Sequence, residues 1–148
     1  MNLPKDEKTI LQTGIIGDLC YTLEQTKTHI EAFTFNTILG QTIRWNVTQA
    51  QAEIAAGHVL ARSEIAPSDM QAIADSNEWT EEGVANADAA LDGIAAPILA
   101  LGVVIYVLID GTHRCVRALR EGRPFFAKLL TDDANRRCVI DADPGLVP

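Results

Sequence analysis

The feature that most constrains this chain is a predominantly apolar run of 16 residues, from Ile94 to Ile109. A helix that spans a membrane needs about 20 apolar residues, so this run is too short for that role. Pro97 and Gly102 also interrupt it, and glycine supplies the positive φ that a tight turn requires. We therefore predict two buried strands, 98–100 and 103–109, which are joined by a turn at Gly102.

The second of these strands, Val103–Ile109, contains no polar residue except the tyrosine hydroxyl. Such continuity is typical of a strand that is covered on both faces, so we expect it at the centre of a sheet. Asp110 and Gly111 then form a strand-to-helix turn. A helix is predicted from His113 to about Glu121, because Gly122 follows in the position of a helix C-cap.

The rest of the chain gives weaker local signals. Thr48 and Ser68 stand where helix N-caps are expected, and residues 75–93 are rich in acidic side chains, which is typical of a solvated loop. We predict three strands at Thr28–Phe35, Thr42–Trp45 and Phe125–Thr131, and helices at 48–56, from Pro67 onward and at Val84–Leu91. The segment 15–23 is apolar without a clear period and receives no assignment.

These elements predict an α+β domain with a small mixed β-sheet and helices packed on it. The 148 residues fit a single domain, and a hydrophobic fraction of 47% is enough for a globular core. We expect residues 1–13 to be loosely ordered and the turn-rich segment 132–148 to be peripheral.

Charge and cysteine usage exclude several protein classes. The formal net charge of −8 disfavours nucleic acid as a partner, because nucleic-acid-binding surfaces are basic. The three cysteines, Cys20, Cys115 and Cys138, are too few and too far apart for a disulfide framework, and we expect each to be a buried apolar residue. No signal peptide or membrane span is evident, so we expect a cytoplasmic protein.

The turn Asp110–Arg114 is the candidate site. The first turn of a helix has unpaired backbone N–H groups and a partial positive charge, and both attract anions. Gly111 would allow a ligand to approach the backbone, and the Arg114 guanidinium matches the geometry of phosphate oxygens. Of the three histidines, His113 is therefore the best functional candidate, and the scattered positions of all three disfavour a zinc site.

The charge distribution agrees with an anionic ligand, although it has a second explanation. Residues 111–137 contain seven basic and three acidic side chains, whereas the rest of the chain is strongly acidic. A local surplus of positive charge attracts anions. The alternative is that these arginines form a solvated face and pair with the acidic loop 75–93.

The residues around this turn resemble the ParB/sulfiredoxin-like superfamily. Its members commonly have a strand that ends in Asp-Gly or Gly-Gly, then an x-His-Arg or x-Arg-Arg turn, then a helix with an alanine. The matching residues are Asp110, Gly111, His113, Arg114 and Ala118, and the resemblance covers about residues 95–131.

The resemblance implies a nucleotide- or phosphate-binding domain that uses ATP or CTP with Mg²⁺. By position, Gly111, Thr112, His113 and Arg114 would contact phosphate, with Arg117 one helical turn further on. His113 and Asp110 are the candidate catalytic residues, and Asp110 would shape the turn or help to hold a metal. Thr112 stands where sulfiredoxins have their reactive cysteine, which argues against sulfiredoxin activity. Partition proteins continue into DNA-binding and dimerisation domains, and because these 148 residues show neither, we do not expect that function.

Three functions remain open at this point. The first is a nucleotide-dependent enzyme that transfers or hydrolyses a phosphoryl group, for which Glu64, Glu81 and Glu82 are candidate catalytic acids. The second is a non-catalytic binding or interaction module of the same fold, from a plasmid, phage or toxin–immunity context. The third is a nuclease that acts on DNA, as the resemblance also allows.

Overall fold

The computed structural model describes residues 30–148, and these contain seven strands in two sheets and five helices. The strands are β1 (Ala32–Asn36), β2 (Thr42–Asn46), β3 (Val59–Ile65), β4 (Gly93–Ala100), β5 (Val103–Asp110), β6 (Phe125–Leu130) and β7 (Val139–Ala142). The helices are α1 (Val47–Ala55), α2 (Pro67–Ser76), α3 (Glu81–Asn86), α4 (Thr112–Glu121) and α5 (Asp132–Cys138). Residues 32–148 form one compact unit, and its α+β class is the predicted one.

The apolar run folds into the predicted hairpin, which belongs to a four-stranded sheet of order β3–β6–β4–β5. Strand β4 pairs antiparallel with β5 and parallel with β6, so the sheet is mixed. The hairpin turn consists of Leu101 and Gly102, with φ values of 52° and 78°. Two positive φ angles in a two-residue turn match the right-handed twist of the flanking strands.

The prediction that β5 is a central strand is wrong, because β5 lies at the edge of this sheet. Strand β4 has neighbours on both sides, and its residues 93–98 are all buried. Only Leu108 and Ile109 of β5 are buried, and Val103–Ile105 are exposed. An apolar sequence indicates that a strand is partly covered, but it does not show which strand of a hairpin has the second neighbour.

The prediction that residues 132–148 are peripheral is also wrong. Helix α5 and strand β7 belong to this segment, and β7 pairs with β2 in the three-stranded sheet β1–β2–β7. Ala134, Asn135 and Leu146 are buried, and the N–H of Leu99 donates to the Leu146 carbonyl at 2.7 Å. The segment looked peripheral because its few inward-facing residues are separated by polar ones.

The helix boundaries differ from the predicted ones where another residue makes the cap. Asn46 is the N-cap of α1 in place of Thr48, since its side chain accepts from the N–H of Gln49 at 2.9 Å. Ala66 precedes α2, so Ser68 lies inside the helix and not at its N-cap. Helix α3 begins earlier than predicted, after the N-cap Thr80.

Three strands and helix α4 lie close to their predicted positions. Strand β2 covers 42–46, β6 covers 125–130, and α4 ends at Gly122 in the left-handed conformation. Strand β1 begins at Ala32, within the predicted segment 28–35. Strand β3 was not predicted, because its residues are mostly polar or exposed.

Cys115 and Cys138 are buried, as predicted. Burial raises the pKa of each thiol to about 11, so both are protonated and unreactive near neutral pH. The predictions for residues 1–13, for Cys20 and for the part of the predicted strand 28–35 that precedes Ile30 lie outside the described residues. No helix in the described part of the chain is long and apolar enough to cross a membrane.

Candidate functional site

The strand-to-helix turn has the geometry that the sequence predicted. Strand β5 ends at Asp110, Gly111 has φ +106°, and α4 begins at Thr112. A side chain at position 111 would be strained at this φ, and its Cβ would stand 3.0 Å from the Cα of Gly93. Gly111 also provides no side-chain cap, so the amide groups at the start of α4 have no capping partner from residue 111.

Asp110 and Arg114 bind each other and the neighbouring chain. The Arg114 guanidinium donates to the carbonyl of Asp92 and, at 3.3 Å, to Oδ2 of Asp110. The same carboxylate oxygen accepts from the side chain of Gln51 at 3.1 Å. Asp110 is therefore tied to Arg114 in α4 and to Gln51 in α1. The charge of Arg114 is largely balanced before any ligand arrives.

The two arginines further along α4 hold the acidic segment 77–92 in place. Arg117 donates to the carbonyls of Ala85 and Ala87, at 2.9 and 2.8 Å, where helix α3 ends. These carbonyls have no partner within α3, so the guanidinium satisfies them and complements the negative end of the helix. Arg117 was predicted to contact phosphate, and the structure places it on the segment 77–92 instead.

Arg120 forms a second attachment to the same segment. Its guanidinium makes two hydrogen bonds with the Glu81 carboxylate, at 2.7 and 2.8 Å, and lies 5.1 Å from the centre of the Trp79 ring. The Glu81 pKa is held below its ordinary value by these hydrogen bonds. Arg120 therefore pairs with the acidic loop, as the alternative explanation for the surplus of basic residues predicts.

The segment 77–80 lies against the first turn of α4. Asn77 donates to Oγ1 of Thr112 at 3.0 Å, and the N–H of Thr80 donates to Nε2 of His113 at 3.2 Å. A backbone N–H can only donate, so Nε2 accepts and the proton of the neutral imidazole lies on Nδ1. His113 is thus fixed in one tautomer with a remaining N–H donor.

A cleft of about 610 Å³ opens between this segment and the helix. Its lining residues are Asn77, Glu78, Trp79, Thr80 and His113. Trp79 is oriented by a hydrogen bond from Nε1 to the carbonyl of Ala74 at 2.8 Å. The cleft is shallow and open to solvent, and its volume lies in the range that is typical of small-molecule sites.

Among the residues that line this cleft, only His113 was a predicted site residue. Trp79 and the three polar residues Asn77, Glu78 and Thr80 were not singled out. The one available signal was a tryptophan within an otherwise polar, acidic stretch, where a bulky aromatic has no local reason to occur.

The three carboxylates that were candidate catalytic acids do not line the cleft. Glu81 is bound to Arg120, and Glu64 lines a separate, mostly apolar groove between α2 and α4. Glu78 is the carboxylate that the structure brings to the cleft. Within residues 30–148 no group of three or more histidine, cysteine or carboxylate side chains is placed to hold a metal ion.

Comparisons with protein-family models, with curated proteins and with solved structures found no match to this chain. The resemblance to the ParB/sulfiredoxin-like superfamily therefore stays a prediction that rests on the residues of the turn.

The contact between His113 and α3 leads to a stability prediction for Gly83→Ala. A Cβ at this position would stand 2.9 Å from Cγ of His113 and closer still to two other ring atoms. Alanine is normally better than glycine inside a helix by about 1 kcal/mol. We expect the opposite sign here, a loss of about 1–2 kcal/mol in urea unfolding, because the ring must leave its place and its bond to Thr80.

A double-mutant cycle separates the two effects. In a His113→Ala background the ring is gone, so Gly83→Ala should stabilise the protein by up to about 1 kcal/mol. If Gly83→Ala is destabilising in both backgrounds, the contact with His113 is not the cause.

Proposed function

We propose that this chain is a binding domain for a phosphate-bearing small molecule of the nucleotide class. The phosphate would lie at the first turn of α4, and the rest of the ligand would lie in the adjoining cleft. The observation that supports this most is that one residue, His113, belongs both to the uncapped first turn of α4 and to the wall of a ligand-sized cleft.

Three kinds of group at this place suit such a ligand. The amides of Thr112–Arg114 precede the first hydrogen-bonded turn, in which Cys115 donates to the Gly111 carbonyl, and the helix dipole favours an anion there. The Nδ1–H of His113 is a further donor. The Trp79 ring offers an apolar surface for a base, since bases stack on aromatic side chains with little preference for sequence.

The geometry favours binding over catalysis. Asp110 is held by Arg114 and Gln51, and Nε2 of His113 accepts from Thr80, so both candidate catalytic residues already have structural partners. The Arg114 guanidinium is likewise shared with Asp92 and Asp110. The second of the three open functions, a non-catalytic binding module, agrees best with these contacts.

The test compares Thr112→Asp with Thr112→Asn. Both side chains keep an oxygen that can accept from Asn77, and they differ in charge. A carboxylate at the start of α4 complements the helix dipole, so Thr112→Asp should melt no lower than Thr112→Asn. The same charge repels a phosphate. Calorimetric titration with ATP, CTP, ADP and inorganic phosphate, each with and without Mg²⁺, should therefore show binding at least about tenfold weaker for Thr112→Asp.

Two results would contradict the proposal. One is that the wild-type chain binds none of these ligands at millimolar concentration. The other is that Thr112→Asp and Thr112→Asn bind equally well, which would place the ligand elsewhere. Phosphate release measured in the same samples distinguishes binding from turnover: an intact bound nucleotide agrees with the binding module, and hydrolysis would assign the chain to the nucleotide-dependent enzymes.

A further inference from the structure

The outer edge of β5 is an exposed and apolar sheet edge. No other strand of residues 30–148 pairs with this edge. The strand reads Val-Val-Ile-Tyr-Val-Leu-Ile-Asp, so it contains no lysine and no proline, and its one charged residue is at its end. Sheet edges of monomeric proteins are usually protected by such residues or by bulges, because an open edge pairs readily with another strand.

The exposed half of β5 is apolar on both faces. The exposed fractions are 89% for Leu101, 59% for Val103, 47% for Val104 and 41% for Ile105. Leu101 is also the one described residue other than glycine with a positive φ, a conformation that a leucine seldom adopts. An apolar, uncharged hairpin end of this kind is typical of a surface that associates with protein.

The register of the hairpin shows which backbone groups face outward. Ala100 and Val103 flank the two-residue turn, so they form a hydrogen-bonded pair, and the pairs then alternate along the hairpin. Val103 and Ile105 therefore bond to β4. Val104 and Tyr106 direct their N–H and C=O groups away from it. Tyr106 stands opposite Pro97, which has no N–H to give, and this agrees with the alternation.

We infer that two copies of this chain associate by antiparallel pairing of β5 with β5, with the two-fold axis at Ile105. In this register Val104 exchanges two hydrogen bonds with Tyr106 of the second copy, and the symmetric pair exchanges two more. Ile105 packs against its own counterpart, and Val103 lies opposite Val107. Every cross-strand pair in the centre is apolar, so the surface is complementary to itself, as a two-fold interface requires.

The absence of charge along Val103–Ile109 favours a second copy of this chain over a charged peptide as the partner of this edge. Each chain has a formal net charge of −8, so two copies repel each other overall, and contact through an uncharged surface adds no further like-charge repulsion. Strand β5 supplies that surface, and it offers no charged side chain to complement a charged peptide along Val103–Ile109. The two Asp110 residues would lie about 34 Å apart along the strands, so the phosphate sites remain at opposite ends.

The test measures the mass of the full chain by sedimentation velocity over a range of concentrations. A strand pair and two hairpin ends cover less than the roughly 1,600 Å² of a standard stable interface, so we expect a dimer that dissociates on dilution. Added salt should strengthen it, because salt screens the repulsion between two acidic chains.

Two variants address the side chain and the backbone separately. Ile105→Lys places two like charges at the axis. Val104→Pro removes an N–H that faces outward, a change that an edge strand tolerates within its own fold. We expect both variants to be monomers at concentrations where the wild type is dimeric, with unchanged circular dichroism. The matched control is Leu60→Lys, on the exposed opposite edge strand β3, which should dimerise as the wild type does.

Three outcomes would overturn the inference. The first is a wild-type chain that stays monomeric up to about 500 µM, a concentration at which even the weak pairing expected here would be visible. The second is dimerisation that survives Val104→Pro and a folded Ile105→Lys variant. The third is a mass that rises beyond the dimer, because a two-fold pairing of this edge is closed.

Discussion

Replacing Asn135 with alanine should lower the free energy of unfolding by about 3–4 kcal/mol. Asn135 is fully buried between the two sheets, where Nε1 of Trp45 donates to its Oδ1 at 2.8 Å and its Nδ2 donates to the carbonyl of Pro97 at 3.1 Å. Trp45 belongs to β2 and Pro97 to β4. The substitution leaves one buried donor and one buried acceptor without partners, at about 1–3 kcal/mol each, together with a small cavity.

Urea unfolding followed by tryptophan fluorescence measures this loss. Asn86→Ala, at the exposed end of α3, is the matched control and should change stability by less than about 0.5 kcal/mol. Asn135→Asp keeps the size and the acceptor but replaces the donor that faces Pro97, so it should destabilise the protein at least as much as alanine does. A loss of less than about 1 kcal/mol in both Asn135 variants would mean that this bridge does not hold the sheets together.

The elements that could be predicted from the sequence are those with a local signal. The turn at Gly102, the end of α4 at Gly122 and strand β6 each depend on residues within a few positions of one another. Asn135 shows what could not be predicted. Its two partners lie 90 and 38 residues away, and nothing in the polar sequence around it indicates that it is buried.

The same distinction explains the outcome at the candidate site. The turn Asp110–Arg114 is local, and its geometry agrees with the prediction. The partners of the arginines are distant in sequence. The sequence shows how many charged residues there are, but it does not show which residues they bind. Arg117 binds carbonyls about 30 residues away and Arg120 binds a carboxylate 39 residues away, so most of the apparent basic surplus on α4 holds the segment 77–92.

That arrangement changes which residues are expected to recognise a ligand. Arg114 had been expected to contact phosphate, yet it connects β5, α4 and Asp92. The arginines instead fix the segment that brings Trp79 and Thr80 to His113. Variants of Arg114, Arg117 or Arg120 would disturb this segment as well as any ligand, so their effects on binding would not locate the site. Thr112→Asp avoids that ambiguity.

Replacing Glu53 is the second substitution that we expect to have a large effect on stability, and this effect depends on pH. The Glu53 side chain on α1 is 6% exposed and is bound by Arg137 at 2.7 and 2.9 Å, by Gln49 at 2.8 Å and by His58 at 2.7 Å. The hydrogen bonds from Arg137 are the main reason that the Glu53 pKa is lowered from 4.5 to about 2, and burial opposes them. This buried carboxylate joins α1 to α5. Removing one partner of a buried ion pair strongly lowers the free energy of unfolding, because the other partner is left buried without a counter-charge.

We expect Glu53→Gln to lower stability by about 2–3 kcal/mol at pH 7 and to remove part of the acid sensitivity of the fold. Because the folded pKa is depressed, the carboxylate stabilises the native state fully above pH 4.5, and this contribution is lost as the pH falls toward 2. The difference between wild type and Glu53→Gln in urea unfolding should therefore be present at pH 5 and shrink as the pH falls below 4.5. Glu82→Gln, an exposed carboxylate on α3, is the control and should follow the wild type throughout. A constant difference down to pH 2 would show that the Glu53 charge does not stabilise the fold.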